Sequence, residues 1–252
     1  MQKLPDEVGE YFSKLQEQLK GTKDNYQAVV FASFPLIPSC IEQNKGSASV
    51  TVGAQNCHWE MSGTFTGEVS PELLKALGAS AVIVGHSERR KYFSESDETC
   101  EKKLKAVLSC GLTALLCCGE TWDERESGQA EAVVRRQLEV ALAGVSSLNP
   151  GEKLVVAYEP VWAISAGPGS KSKPAENSDI EQMHQLVSDI LVELELNETT
   201  RVIYGASVNP DNIAGIMAIK NVDGVLPGAA SLDAEKFAQI ILRGSTAFYD
   251  NL

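Results

Sequence analysis

The sequence has no basic patch, no long apolar run, no C-x-x-C pair and no low-complexity tract, and each absence removes a class of function. Lys and Arg number 22 against 34 Asp and Glu, a net charge of -12 that repels phosphate backbones and anionic lipid. Arg89-Arg90-Lys91 is too short to offset it, so neither a nucleic acid nor a membrane is expected as a partner. No stretch is long enough to span a bilayer, and Asp6, Glu7 and Glu10 stand where a signal peptide would be apolar. A cytoplasmic protein is therefore expected. The six cysteines (Cys40, Cys57, Cys100, Cys110, Cys117, Cys118) lack metal-site spacing, which predicts reduced, mostly buried thiols and no bound metal.

What is present is a regular alternation of short apolar runs with amphipathic stretches. That pattern predicts repeated βα units and a parallel sheet. Strands are expected over Ala28 to Ala32, Ala48 to Gly53, Ala81 to Val84, Leu112 to Cys118, Leu154 to Ala157, Arg201 to Tyr204 and Gly224 to Leu226. With 252 residues, 43% of them hydrophobic, residues 1–252 read as one (β/α) barrel domain. Val8, Phe12, Leu15 and Leu19 recur at helical spacing, and Gly21 ends that helix. Ser70-Pro71-Glu72 opens another, as N-cap, first-turn proline and acidic residue, and Gly78 closes it.

Two polar residues fall where strands end and helices begin, the end at which barrels of this class carry their chemistry. His86 follows the Ala81 to Val84 run, and a helix N-terminus disfavours imidazole protonation, leaving a neutral hydrogen-bond donor. Glu159 follows the Leu154 to Ala157 run and precedes a stiff Pro160-Val161-Trp162 turn. The glycine, serine and proline-rich stretch from Ser165 to Pro174 reads as a lid. His58 and His184 lie in no such motif and are assigned to structure or surface.

Val84-Gly85-His86-Ser87-Glu88-Arg89-Arg90, Tyr158-Glu159-Pro160-Val161-Trp162-Ala163-Ile164 and Tyr204-Gly205-Ala206-Ser207 together resemble the triosephosphate isomerase family, and the resemblance runs from about Val29 to near the C-terminus. It implies a TIM (β/α)8 barrel that acts on a small phosphorylated triose without a cofactor. It implies Glu159 as general base, His86 as the group that polarises the carbonyl, and Glu88 as support for the site. Ser165, Ala166, Ser207, Gly228 and Ala229 would hold the phosphate through backbone N–H groups, and Thr66 would reach a second subunit in a homodimer. The family's usual Gly-Thr-Gly, Gly-Gly-Ser and Gly-Gly-Ala-Ser are replaced by Ser165-Ala166-Gly167, Gly205-Ala206-Ser207 and Gly228-Ala229-Ala230-Ser231. Each added Cβ penalises positive φ and a close ligand approach.

The family's opening strand ends in Asn-Trp-Lys-Met and supplies a catalytic lysine, whereas this sequence runs from Met1-Gln2-Lys3-Leu4-Pro5 into its first helix. The first β-strand is expected to be missing from the chain, with an in-frame upstream extension encoding it. Without that strand little isomerase activity is expected, and Glu88 would lose the lysine that balances its charge. The alternative reading is a non-catalytic phosphate-binding or interaction barrel derived from the family.

Overall fold

The computed structural model describes residues 2–22, 25–45, 47, 49–164 and 173–250. Seven strands lie in one sheet in chain order: β1 (Ala28–Ala32), β2 (Val50–Ala54), β3 (Ala81–Val84), β4 (Thr113–Cys118), β5 (Leu154–Tyr158), β6 (Arg201–Tyr204) and β7 (Gly224–Val225). Every neighbouring pair is parallel, as crossover connections require. The predicted segments match these strands to within a residue or two, and the offsets fall at strand ends, where ladder bonds fade.

Helices cover the outside of the sheet. They are α1 (Val8–Leu19), α2 (Ile37–Gln43), α3 (Pro71–Ala76), α4 (Ser87–Phe93), α5 (Asp97–Ser109), α6 (Trp122–Glu126), α7 (Ala130–Ala141), α8 (Asn177–Glu193), α9 (Ile213–Met217) and α10 (Ala234–Asp250). In α1 the predicted stripe points inward through Val8, Phe12 and Leu15. Ser70 Oγ accepts the Leu73 N–H at the start of α3, as the capping pattern predicts.

The period-two alternation of each strand divides the core. Val82, Val84, Leu116, Val156 and Tyr158 pack outward with the helices, while Ile83, Leu115, Cys117 and Ala157 form a separate inner cluster with Phe31, Val155, Ile203 and Leu226. Leucines buried completely, such as Leu74, Leu104, Leu116, Leu138 and Leu154, each contribute roughly 1.5–3 kcal/mol. On the same alternation Glu159, two residues past Ala157, continues the inner face.

Among the described residues no ladder joins β7 to β1. The helix layer is continuous across that seam, because α1 packs against α10. Tyr11 Oη donates to the Ser231 carbonyl at 2.7 Å, and Leu15, Ala28, Val50, Phe237 and Ala238 form their own apolar cluster beneath.

Candidate active site

Beyond Val84 the chain leaves the sheet at Gly85, whose φ of +73° is open to glycine at little cost. His86 becomes the N-cap of α4, and its Nδ1 accepts the Glu88 N–H at 3.3 Å. A ring nitrogen that accepts a backbone N–H carries no proton, so the imidazole is the neutral tautomer with its hydrogen on Nε2. That nitrogen lies 3.4 Å from Glu159 Oε1. The Gly85 peptide is held by side chains: its N–H donates to Glu95 Oε1 at 2.8 Å and its carbonyl accepts Arg90 Nε at 2.8 Å. Glu95 also binds Lys103 and Arg89, each at 2.6 Å. Burial opposes its charge, but these partners outweigh burial and hold the carboxyl below its ordinary range.

Glu159 is buried, with its side chain only 3% exposed against 28% for His86. Its Oε2 accepts the Ser87 N–H at 3.2 Å. Burial lifts its pKa above the usual carboxylate range, against the opposing pull of His86, the Ser87 N–H, the Cys117 thiol and Arg90. A carboxylate so placed is a stronger base than an exposed one, and the Nε2–H beside it can polarise an oxygen on the same molecule. The structure thus brings together the two residues singled out as chemistry-bearing, from β3 and β5, across the intervening β4.

A second carboxylate anchors the turn after Glu159. Glu120, fully buried, follows β4 by two residues. Its Oε1 accepts Trp162 Nε1 at 2.8 Å and its Oε2 accepts the Tyr158 hydroxyl at 3.1 Å. Burial and then Glu120 itself push the Tyr158 phenol upward, so it stays a donor. Arg125 completes the cluster: one guanidinium nitrogen lies 3.3 Å from Glu120 and another pairs with Asp179 on α8, while the plane sits 4.7 Å from the Trp162 ring centroid. Trp162 belongs to the turn Val161–Ala163, and this network fixes the exit of β5.

Sequence reasoning missed Glu120, although its signal was available: an apolar strand followed by a glycine and an acid. It also missed Gln137, Glu95 and Cys117, whose roles arise only from contacts between distant segments. Glu88, expected to stand beside His86 without the family's lysine, has a side chain 75% exposed and 3.9 Å from His86 Nδ1. Solvent stabilises it where it stands. Positive φ is not required at the two replaced glycines that are described, Ala206 and Ala229. Among the described residues the non-glycines with positive φ are Ser94, Asn149, Glu195 and Asn221, so Ala206 and Ala229 keep ordinary backbone conformations.

Ser207 follows β6, and its hydroxyl donates to the Ala163 carbonyl at 2.7 Å. Gly228 and Ala229 open the short 3-10 turn Ala229–Leu232 after β7 and are exposed. Leu226 N–H donates to the Tyr204 carbonyl, which sets these two loops side by side. Ser165, Ala166 and the predicted lid through residue 172 lie outside the described residues. Thr66 is exposed in the loop between β2 and α3, far along the chain from the strand ends. His184 is fully buried with Nδ1 2.8 Å from the Asn221 carbonyl, and His58 is buried beside Trp59 and Phe65, so both serve structure as expected. The cysteines are all free, with Cys110 alone partly exposed among them.

Comparison with known proteins agrees along nearly the whole chain. The sequence model of the family described as triosephosphate isomerase matches residues 1–243. Triosephosphate isomerase of Clostridium perfringens (strain SM101 / Type A) is 43% identical over 230 residues, which span 90% of this chain and 91% of that protein. That of Geobacter metallireducens is 39% identical over 242 residues, 95% of this chain and 93% of the relative. The crystal structure of triosephosphate isomerase from Bartonella henselae superposes with a TM-score of 0.82 at 31% identity, covering 95% of this chain and 94% of that one. With the fold, the order of the motifs and these relatives in agreement, the chain belongs to the triosephosphate isomerase family.

Proposed function

We propose that this protein interconverts dihydroxyacetone phosphate and glyceraldehyde 3-phosphate. The observation that carries the reading is the pair formed by a buried Glu159 carboxylate and the Nε2–H of a neutral His86, 3.4 Å apart at the end of the sheet. Glu159 takes the carbon-bound proton beside the carbonyl, the C–H electron pair becomes the new C=C bond, and His86 Nε2–H stabilises the oxygen that gains charge. His86 then moves a proton between the two oxygens of the enediolate, and Glu159 returns its proton to the neighbouring carbon. Glu88, beside His86, supports the site from its solvent side.

The phosphate is assigned to the backbone N–H groups of Ser207, Gly228 and Ala229, with Ser165 and Ala166 contributing from the lid. The adjacency of the β6 and β7 loops supports this assignment. Measuring isomerisation with purified protein and its Glu159→Gln variant tests the reading. Loss of a positioned base lowers turnover by roughly two to four orders of magnitude. A variant with near-normal turnover would remove Glu159 from the mechanism.

We further infer a single-domain, cytoplasmic enzyme that forms a homodimer through the loop carrying Thr66. Phe65 beside it is 43% exposed, and Tyr92 and Phe93 on α4 are 65% and 66% exposed, apolar surface of a kind that association would cover. No described helix is long and apolar enough to cross a membrane. Light scattering coupled to gel filtration checks the dimer, and a monomeric mass for the purified protein would contradict it.

A further inference from the structure

Gln137 lies within α7, on the outer layer, and is 6% exposed. Its side-chain amide is bonded twice to one residue: Oε1 accepts the Gly119 N–H at 2.8 Å and Nε2 donates to the Gly119 carbonyl at 3.2 Å. A glutamine bonded in this way supplies the two hydrogen bonds that a neighbouring strand would otherwise make.

The topology explains the need for it. Toward β5, the carbonyls of Cys118 and Glu120 accept the Glu159 and Val161 N–H groups at 2.7 and 3.0 Å. Gly119, between them, faces the opposite side. There the β3–β4 ladder ends at Val84 and Leu116, because the chain after β3 has turned away at Gly85 into α4. Arg90 Nη2 takes the Cys117 carbonyl at 3.2 Å on this side, and Gln137 takes both groups of Gly119. Without Gln137 the buried N–H and carbonyl of Gly119 would both lose their partners.

Gly119 also presses directly on the base. A Cβ placed on it would stand 1.9 Å from the Glu159 carbonyl oxygen, so the two backbones are in contact. Its neighbours in sequence are Cys118, which holds the Glu159 N–H, and Glu120, which holds Trp162.

We propose that Gln137 is a positioning residue of the active site: through Gly119 it fixes the end of β4, and thereby both the backbone of Glu159 and the anchor of the turn that follows. The proposal rests on the reading of Glu159 as the base. It predicts a role in chemistry for a side chain that touches neither Glu159 nor His86.

Two variants test it. Gln137→Met keeps length and burial but removes both hydrogen bonds. Gln137→Glu keeps an acceptor for the Gly119 N–H and serves as the second variant if the methionine protein does not fold. Two readouts are taken on protein whose circular dichroism matches the parent. The first is steady-state kinetics, where misplacement of the base lowers kcat by about tenfold to a hundredfold while KM changes little. The second is the carboxyl titration of Glu159, followed by carbon-13 NMR and assigned with Glu159→Gln. Its midpoint is expected to move from the parental value, because the groups facing that carboxyl, His86, Arg90, Cys117 and Cys118, are met at new distances. A lower melting temperature with kcat and the titration both unchanged would overturn the proposal and leave Gln137 a packing residue. If the parent protein shows no isomerase turnover, the functional reading fails, while the titration still decides the role of Gln137.

Discussion

Strands β3, β4 and β5 and strands β1 and β7 are drawn from similar apolar runs, yet the structure treats them differently. All four residues of β3 and all but Thr113 of β4 are buried, whereas Val29, Val30 and Phe31 of β1 and both residues of β7 are half-exposed. The first group is paired on both edges. The second borders the seam where no ladder is present among the described residues, and helices α1 and α10 hold it together. The proposed base and its hydrogen-bond donor sit on the doubly paired side. A base and a hydrogen-bond donor 3.4 Å apart need strand ends that do not drift, and past the last ladder bonds Glu95, Arg90 and Gln137 take over the pairing. Among the described residues the seam is held mainly by helix packing, with the Tyr11 hydroxyl to Ser231 carbonyl bond added to it.

The contrast is broken hardest by adding a methyl group on each side. Gly119→Ala places a Cβ against the Glu159 carbonyl, and the forced backbone movement is expected to destabilise by more than about 4 kcal/mol and to abolish turnover. On the seam helix, Gly9→Ala meets nothing nearer than the Gln43 side chain at 3.7 Å and is expected to stabilise by roughly 0.5–1 kcal/mol. Urea denaturation of both variants checks the pair, and equal effects would erase the distinction.

Matched truncations give a smaller difference. Leu116→Ala in β4 empties a fully buried site and is expected to cost roughly 2–5 kcal/mol. Val30→Ala in β1, already half-exposed, should cost about 1 kcal/mol or less. A seam variant as damaging as the β4 variant would mean that the seam is as tightly packed as the site.

Two of the buried carboxylates, Glu95 and Glu159, differ in sign, and pH separates them. Glu95 sits below the ordinary carboxylate range, so its contribution to stability is present above the pKa of the unfolded chain and is lost as pH falls through the folded value. Glu95→Gln is therefore expected to lower the melting temperature at neutral pH, with the loss shrinking in acid. Glu159 is raised by burial, so its ionised form weighs against folding at neutral pH. Glu159→Gln should raise the melting temperature there, with the gain shrinking once the parental carboxyl is protonated. Melts from pH 3 to 8 check both, and a destabilised Glu159→Gln at neutral pH would reverse the electrostatic assignment.

The sequence showed much of this because strands and helix caps are local. Apolar runs placed all seven strands, and Ser70, Gly21 and Gly78 marked helix ends correctly. His86 and Glu159 stand just past apolar runs, but it was the resemblance of the motifs around them to the family's that made them legible. Glu120 obeyed the same rule and went unread, since its partners Trp162 and Tyr158 lie about forty residues away. Gln137 offered no local sign at all: nothing in an amphipathic helix distinguishes a glutamine that completes a distant strand from one that packs inward. The exposure of Glu88 in the first turn of α4 and the relaxed backbone at Ala206 and Ala229 depend on how the segments after the strands are turned, which residue identity does not specify.

Both sides of the comparison meet in Glu159, and isotope incorporation tests it most directly. With dihydroxyacetone phosphate in deuterium oxide, a carboxylate that removes a carbon-bound proton and returns one after exchange with solvent leaves deuterium on the product carbon. The parent protein is expected to show this incorporation during turnover, and Glu159→Gln is expected to lose it. Undiminished incorporation by the glutamine variant would contradict the account, because another group would then be moving the proton.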